Sequence, residues 1–248
     1  MTHGRIMLLD GVVQITEADE FAYQEMMTHV PLIEHGAATD ILIIGGGDGG
    51  VLRCSLDHVG VRNVTLVELD EAVVRLSQLH LPGIAGSSWT DPRTAIVIGD
   101  GIEFVRHAEA ASKDVIIVDS TDPAGPGEAL FSEGFYRDCR RVLKRGGILV
   151  NQSGVPFMQG AELAETTQLR RSVFNHATAF LTSVPTYIGG PMAIGIASDE
   201  PIDPALPAVT RQRALNAGIL GKTKYWSPET HSAAFALPPF IRSLLDAA

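Results

Sequence analysis

The apolar run Ile41-Leu42-Ile43-Ile44 leads straight into Gly45-Gly46-Gly47-Asp48-Gly49-Gly50, and this junction constrains the fold more than any other stretch of the chain. Gly45, Gly47 and Gly50 satisfy a G-x-G-x-x-G spacing, which permits a tight turn after a strand, close approach of a ligand to the backbone, and packing of the next helix on the sheet. Such a junction belongs in a βαβ unit. The rest of the chain repeats the pattern, with short apolar runs alternating with amphipathic segments, as in a parallel sheet covered on both faces. Seven strands are predicted, at 41–44, 64–67, 95–98, 115–118, 148–150, about 180–184, and 192–197. Helices are predicted near 49–58, 71–79, 101–108, 132–143 and 161–176, with Ser132 as an N-cap and Gly146-Gly147 as a stop after Lys144-Arg145.

Both flanks differ in texture. Residues 5–9 and 12–15 read as strands joined through Asp10-Gly11, a hairpin signal. A lone hairpin is marginal in water, so it should pack on the main domain or pair with another chain. Thr16 and Asp19 resemble a capping box opening a helix through Phe21-Ala22-Tyr23-Gln24-Glu25-Met26-Met27. From Pro201 onward the chain is punctuated by proline, which predicts short helices wrapping the domain. The expected division is therefore 1–16 as a hairpin, 17–200 as the main α/β domain, and 201–248 as a helical extension.

With 248 residues, 45% of them hydrophobic, the chain can bury a full core. A formal net charge of −10 argues against nucleic acid or an anionic membrane as partner. Cys54 and Cys139 fall in predicted helices and read as packing residues in a reduced compartment. No apolar stretch approaches the ~20 residues of a membrane span, and a basic-then-apolar leader is lacking. The expected location is cytoplasmic. No histidine spacing suggests a metal site, and none is expected.

The acidic residues are more informative. Asp48 sits inside the glycine loop, and Asp119-Ser120-Thr121-Asp122-Pro123 ends the apolar run Val115-Ile116-Ile117-Val118. A pyrophosphate or a tail carboxylate would meet Asp48 as a like charge, costing ~4 kcal/mol at 4 Å and an effective dielectric near 20. A nucleoside with a positive tail would be attracted instead. Glu68, at the end of the second strand, can accept bonds from both ribose hydroxyls. Asp100, in Gly99-Asp100-Gly101, can meet an exocyclic amine of adenine or cap the helix that follows; the two roles can coexist. For Asp48 the alternative is a solvent-facing side chain favouring its helix dipole, for Asp122 a turn initiator, and for Tyr23 a core residue.

Together with 9–14, 19–26, the 119–126 segment, Pro185-Thr186-Tyr187 and 231–238, these motifs closely resemble the spermidine synthase family of polyamine aminopropyltransferases. The resemblance implies a Rossmann-like, methyltransferase-type, doubly wound α/β domain with a mainly parallel seven-stranded sheet. It also implies transfer of an aminopropyl group from decarboxylated S-adenosylmethionine, a co-substrate rather than a cofactor, to putrescine. Carried over by position, Asp119 matches the catalytic proton acceptor. Tyr23, Gln24, Asp48, Asp119, Ser120, Thr121, Asp122 and Tyr187 match the amine side. Gly45, Gly47, Glu68, Asp100, Gly101 and Pro126 match the nucleoside side. Residues 124–128 look able to close over the substrates as a lid.

Family members usually carry an N-terminal β-domain before the 5–14 strands, and this chain has almost none of it. A homodimer is expected through the remaining hairpin. Two other readings compete: a methyltransferase using intact S-adenosylmethionine, against which Asp48 counts, and a non-catalytic binding relative.

Overall fold

In the computed structural model, residues 3–121, 125–202 and 206–246 are described, the side chains of residues 125 and 126 excepted. The main sheet has seven strands in the order β5-β4-β3-β6-β7-β9-β8. These are β3 (Asp40–Gly45), β4 (Asn63–Glu68), β5 (Thr94–Ile98), β6 (Lys113–Asp119), β7 (Leu143–Gln152), β8 (His176–Thr182) and β9 (Met192–Ser198). Neighbours from β5 to β7 run parallel, and β9 lies antiparallel between β7 and β8. All seven expected strands are present, although β8 begins earlier than its apolar pattern suggested.

Alternation along the central strands splits the core into two layers. Ile41, Ile43, Val115 and Ile117 face helices α1 (Glu20–His35) and α2 (Gly50–Leu56). Leu42, Ile44, Ile116 and Val118 face α5 (Gly101–His107) and α6 (Glu133–Val142). Here α3 is Glu71–His80 and α4 is Pro82–Ala85. The expected helical segments are all present, and Cys54 and Cys139 are buried free thiols in α2 and α6. Ser132 caps α6 as expected, accepting from the Phe135 amide at 3.2 Å. Trp226 is fully in the core, while Trp89 packs partly buried against it.

Three local expectations need correction. Helix α6 ends at Val142, not at Gly146-Gly147. Leu143 is buried and Lys144 reaches Asp114 on the adjacent β6 and Asp40 on β3 beyond it, so the chain is already extended; the glycines instead carry a bulge where β6 and β7 change register. Helix α7 (Pro156–Val173) starts before residue 161, with Pro156 in its first turn and a non-helical Gln159 marking a kink. Thr16 does not cap α1: Asp19 occupies the N-cap, and its side chain bonds elsewhere.

The hairpin of β1 (Ile6–Leu9) and β2 (Val12–Thr16) turns through Asp10 and Gly11, both at positive φ. Ile15 and Met7 lay its inner face on Leu81 and Ile84, so it packs on the main domain as expected. At the other end, α8 (Pro207–Ala217), α9 (Pro228–Ala234) and α10 (Pro239–Asp246) wrap the sheet domain. Glu25 fixes the entry to α9 by accepting from the amides of Lys224, Tyr225 and Trp226 at 2.9, 2.8 and 2.8 Å. Among the described residues no helix is long and apolar enough to cross a membrane.

Candidate active site

Chain order starts at β3, moves outward to β4 and β5, then returns to β6 on the other side. The crevice for a ligand therefore opens at the carboxyl ends of β3 and β6, where the connections diverge. Register makes the consequence specific, because Gly45 is paired with Asp119. The two backbones meet closely: the Gly46 amide donates to Asp119 O at 2.9 Å, and a Cβ on Gly45 would stand 2.2 Å from the same oxygen. Gly45 also has φ 79, so glycine is required there twice over.

A cavity of about 660 Å³ occupies this crevice, roofed by the hairpin, the start of α1 and the loop after β8. Asp48 and Asp119 line the same cavity, as do Tyr23, Gln24, Ser120, Thr121 and Tyr187 on one side. Gly45, Gly47, Glu68, Asp100 and Gly101 line it too. Every expected site residue whose side chain is described thus comes to one place. Asp122 and the Ala124 end of the expected lid lie outside the described residues. Pro126 falls in a short 3-10 segment, Gly125–Phe131, with its side chain outside them as well.

The described lining contains six aspartates and two glutamates and no lysine, arginine or histidine. Asp119 accepts a 2.7 Å bond from the Tyr23 hydroxyl on Oδ1. Its Oδ2 lies over Gly46, 3.2 Å from where a Cβ would stand. Burial, with Asp48 and Glu68 as like charges, pushes the Asp119 carboxyl up to about 7, against the Tyr23 bond that favours ionisation. Burial and the same carboxylate hold the Tyr23 hydroxyl well above its ordinary value, so it remains a proton donor.

Asp48 accepts from the Gly50 amide at 2.7 Å and from Gln24 Nε2 at 3.1 Å. Its side chain turns back toward α1 rather than out to solvent. Burial, reinforced by Glu20, raises it to about 6, while Arg53 opposes the rise. Glu20 itself is gripped by Arg53 at 3.0 and 3.3 Å. Across the cavity Glu68 accepts from the amides of Gly47 and Asp70 at 3.1 and 3.0 Å, and burial raises its carboxyl. Asp100 caps α5 through the Ile102 amide at 2.7 Å and also lines the cavity, so both roles weighed from sequence are available to it.

Asp19, Glu20 and Thr186 also line the cavity, and sequence reasoning gave them no place in it. For Glu20 a signal existed: it precedes Tyr23 and Gln24 by three and four residues, which puts all three on one face of α1.

A doubly wound sheet with a glycine turn on its first central strand and an acidic crevice at the switch point defines a Rossmann-type enzyme domain. Residues 20–206 match the family model described as "Spermine/spermidine synthase domain", and the chain belongs to that family and is a transferase. It is 48% identical over 243 residues to a polyamine aminopropyltransferase of Ruegeria sp. (strain TM1040), covering 98% of this chain and 85% of the relative. Against polyamine aminopropyltransferase 1 of Pseudomonas aeruginosa it is 49% identical over 239 residues, covering 96% and 82%. Among solved structures, a spermidine synthase in complex with the transition state analogue AdoDATO aligns with TM-score 0.91 at 36% identity, covering 98% of this chain and 81% of that one. A spermidine synthase from Thermotoga maritima aligns with TM-score 0.87 at 34% identity, covering 98% and 80%.

Proposed function

We propose that this chain transfers the aminopropyl group of decarboxylated S-adenosylmethionine to putrescine, giving spermidine and 5′-methylthioadenosine. The observation that carries the proposal is the convergence of Asp48 and Asp119 on one cavity whose described lining holds no basic side chain. The named activity of the relatives and the AdoDATO complex of the structural neighbour support the same reading.

The chemistry follows from the geometry. The nucleoside lies toward Glu68, Asp100 and Gly101, and the aminopropyl ammonium toward Asp48 and Gln24. The lone pair of the acceptor amine attacks the carbon bound to the sulfonium; the C–N bond forms as the C–S bond breaks, and sulfur keeps the electron pair as a neutral thioether. An alkyl amine of pKa about 10 is only ~0.1% neutral at pH 7, so freeing its lone pair costs roughly 4 kcal/mol. Asp119, with a carboxyl raised toward neutrality, is suited to take that proton. Tyr23 holds Oδ1, which leaves Oδ2 as the oxygen offered to the amine. The sulfonium is an activated leaving group, so no cofactor is required, and alignment of nitrogen, carbon and sulfur supplies much of the remaining acceleration.

Cytoplasmic residence, a homodimer through the hairpin, and division of the chain at residues 16 and 200 belong to the same reading. The deciding experiment mixes the protein and putrescine with either decarboxylated or intact S-adenosylmethionine. Methylthioadenosine is expected only with the decarboxylated donor. Methylated amine with S-adenosylhomocysteine, or no product from either donor, would overturn the proposal.

A further inference from the structure

The start of α1 carries an aspartate that does not cap its own helix. Asp19 holds the N-cap position, where an aspartate ordinarily accepts from the second or third amide of the helix, yet it makes no such bond. Its Oδ1 accepts instead from the Thr16 hydroxyl at 2.6 Å, at the end of β2. Its Oδ2 accepts from the Thr186 amide at 2.8 Å and from the Thr186 hydroxyl, in the loop after β8. Asp19 is 7% exposed and Thr16 1%. All three donors are aimed at one buried carboxyl.

These bonds close a ring of residues in the wall of the cavity. Tyr187, next to Thr186, donates its hydroxyl to Gln14 O at 2.8 Å, which returns the loop to β2 two residues before Thr16. The Thr182 hydroxyl ties the end of β8 to Ala22 O at 2.9 Å. Gln14, Thr16, Asp19, Thr186 and Tyr187 all line the cavity, and Tyr23, the residue bonded to Asp119, is one helical turn beyond Asp19. The loop is exposed at Ser183, Pro185 and Ile188, so burial alone does little to place Tyr187. Its own bond to Gln14 O and the grip of Asp19 on the adjoining Thr186 hold it instead.

We propose that Asp19 is a positioning residue that locks the hairpin, α1 and the Thr186-Tyr187 loop into one wall, and thereby governs recognition of the acceptor amine but not of the nucleoside. The identity of that amine rests on the aminopropyltransferase reading. A carboxyl group suits the post because every group facing it is a donor. An asparagine would have to turn an N–H toward Thr16, whose hydroxyl can accept it, so asparagine should restore part of the function that alanine removes.

Three variants test this. Asp19→Ala should lower kcat/KM for putrescine ~100-fold through misplacement of the wall, with the Kd for methylthioadenosine changed less than about threefold. Asp19→Asn should recover roughly tenfold of that loss, and Thr186→Val, which keeps the amide bond but not the hydroxyl, should fall about tenfold below the parent. Equal losses for amine and nucleoside, or an asparagine variant no better than alanine, would overturn the assignment. If Asp19→Ala does not fold, Thr186→Val decides: an unchanged putrescine kcat/KM refutes it. Should the parent bind putrescine and methylthioadenosine without turnover, aminopropyl transfer fails as a reading, and calorimetric putrescine Kd values then judge Asp19 by the same ratios. Amide exchange needs no ligand at all. It should quicken at 184–188 in Asp19→Ala while the sheet stays protected, and unaltered exchange there counts against the proposal.

Discussion

Replacing Asp119 with asparagine should inactivate the protein and stabilise it, and the stabilisation should depend on pH in a calculable way. In the folded protein the Asp119 carboxyl is moved from an ordinary 3.8 up to about 7, chiefly by burial and then by Asp48. Because the folded pKa lies above the unfolded one, the contribution to stability is fully present below about pH 4 and is lost as pH rises through about 7. At 1.36 kcal/mol for each pH unit, a fully dry site would penalise the folded state by ~4 kcal/mol at pH 8. Asp119 is largely but not fully buried and lines a crevice open to solvent, so screening reduces this to ~1–2 kcal/mol. Asparagine is never ionised and can still accept the Tyr23 hydroxyl through its carbonyl. Thermal unfolding of the two proteins at pH 4.5, 6 and 8 reads the difference, about 2–4 °C in Tm per kcal/mol for a chain of this size. The variant should gain most at pH 8 and almost nothing at the acid end. Methylthioadenosine release at pH 8 should meanwhile fall ~10²–10⁴-fold. A variant less stable than the parent at pH 8, or an offset independent of pH, would refute the account of Asp119 as a strained, substrate-seeking carboxylate.

With Asp48 and Asp119 pushed up to about 6 and about 7, this pair of carboxyls is mostly neutral at pH 5 and doubly anionic by pH 8, so putrescine affinity should rise across that interval; calorimetry with methylthioadenosine present would show it, and a flat profile would contradict it. Asp48→Asn should weaken the preference for decarboxylated over intact donor ~100-fold, read from competition binding, since a like-charge contact of up to ~4 kcal/mol is removed from the disfavoured ligand. Gly45→Ala should be severely destabilising, by ~3 kcal/mol or more, because the new Cβ would stand 2.2 Å from Asp119 O at positive φ. Urea titration reads that loss, with Gly83→Ala, whose new methyl would meet nothing within 4 Å, as the near-neutral control.

The parallel core was legible because strands buried on both faces are apolar almost throughout: the runs ending at Ile44 and Val118 are wholly so, and the one ending at Val67 departs only at Thr65. What escaped was decided by contacts distant in sequence. Two glycines after a basic pair carry a helix-stop signal, yet Lys144 is drawn into the strand by Asp40 and Asp114, which no local window contains. The start of β8 reads as polar because it is an edge strand whose His176 end is exposed. Asp19 looked like half of a capping box because Thr16 is three residues away, whereas its second partner is Thr186.

The site divides along the same line. Topology assembles it: a doubly wound sheet brings the carboxyl ends of its central strands together, so Asp48, Glu68, Asp100 and Asp119 must converge once those strands are located. Electrostatic tuning has another origin. Burial raises Asp48 most and the Gly50 amide opposes it; Asp48 also feels Glu20 as a like charge, Gln24 as a donor and the Glu20-bound Arg53 as a nearby positive charge, and these last three depend on how α1 crosses α2. That crossing requires Gly50, where a Cβ would stand 2.5 Å from Gln24 Cδ. One glycine of the fingerprint therefore serves the approach of two helices, and through it the charge on a ligand-facing carboxylate. Residue types at strand ends announce which chemistry is possible, while burial in the crevice and the packing of α1 on α2 together set the pH at which Asp48 becomes an anion.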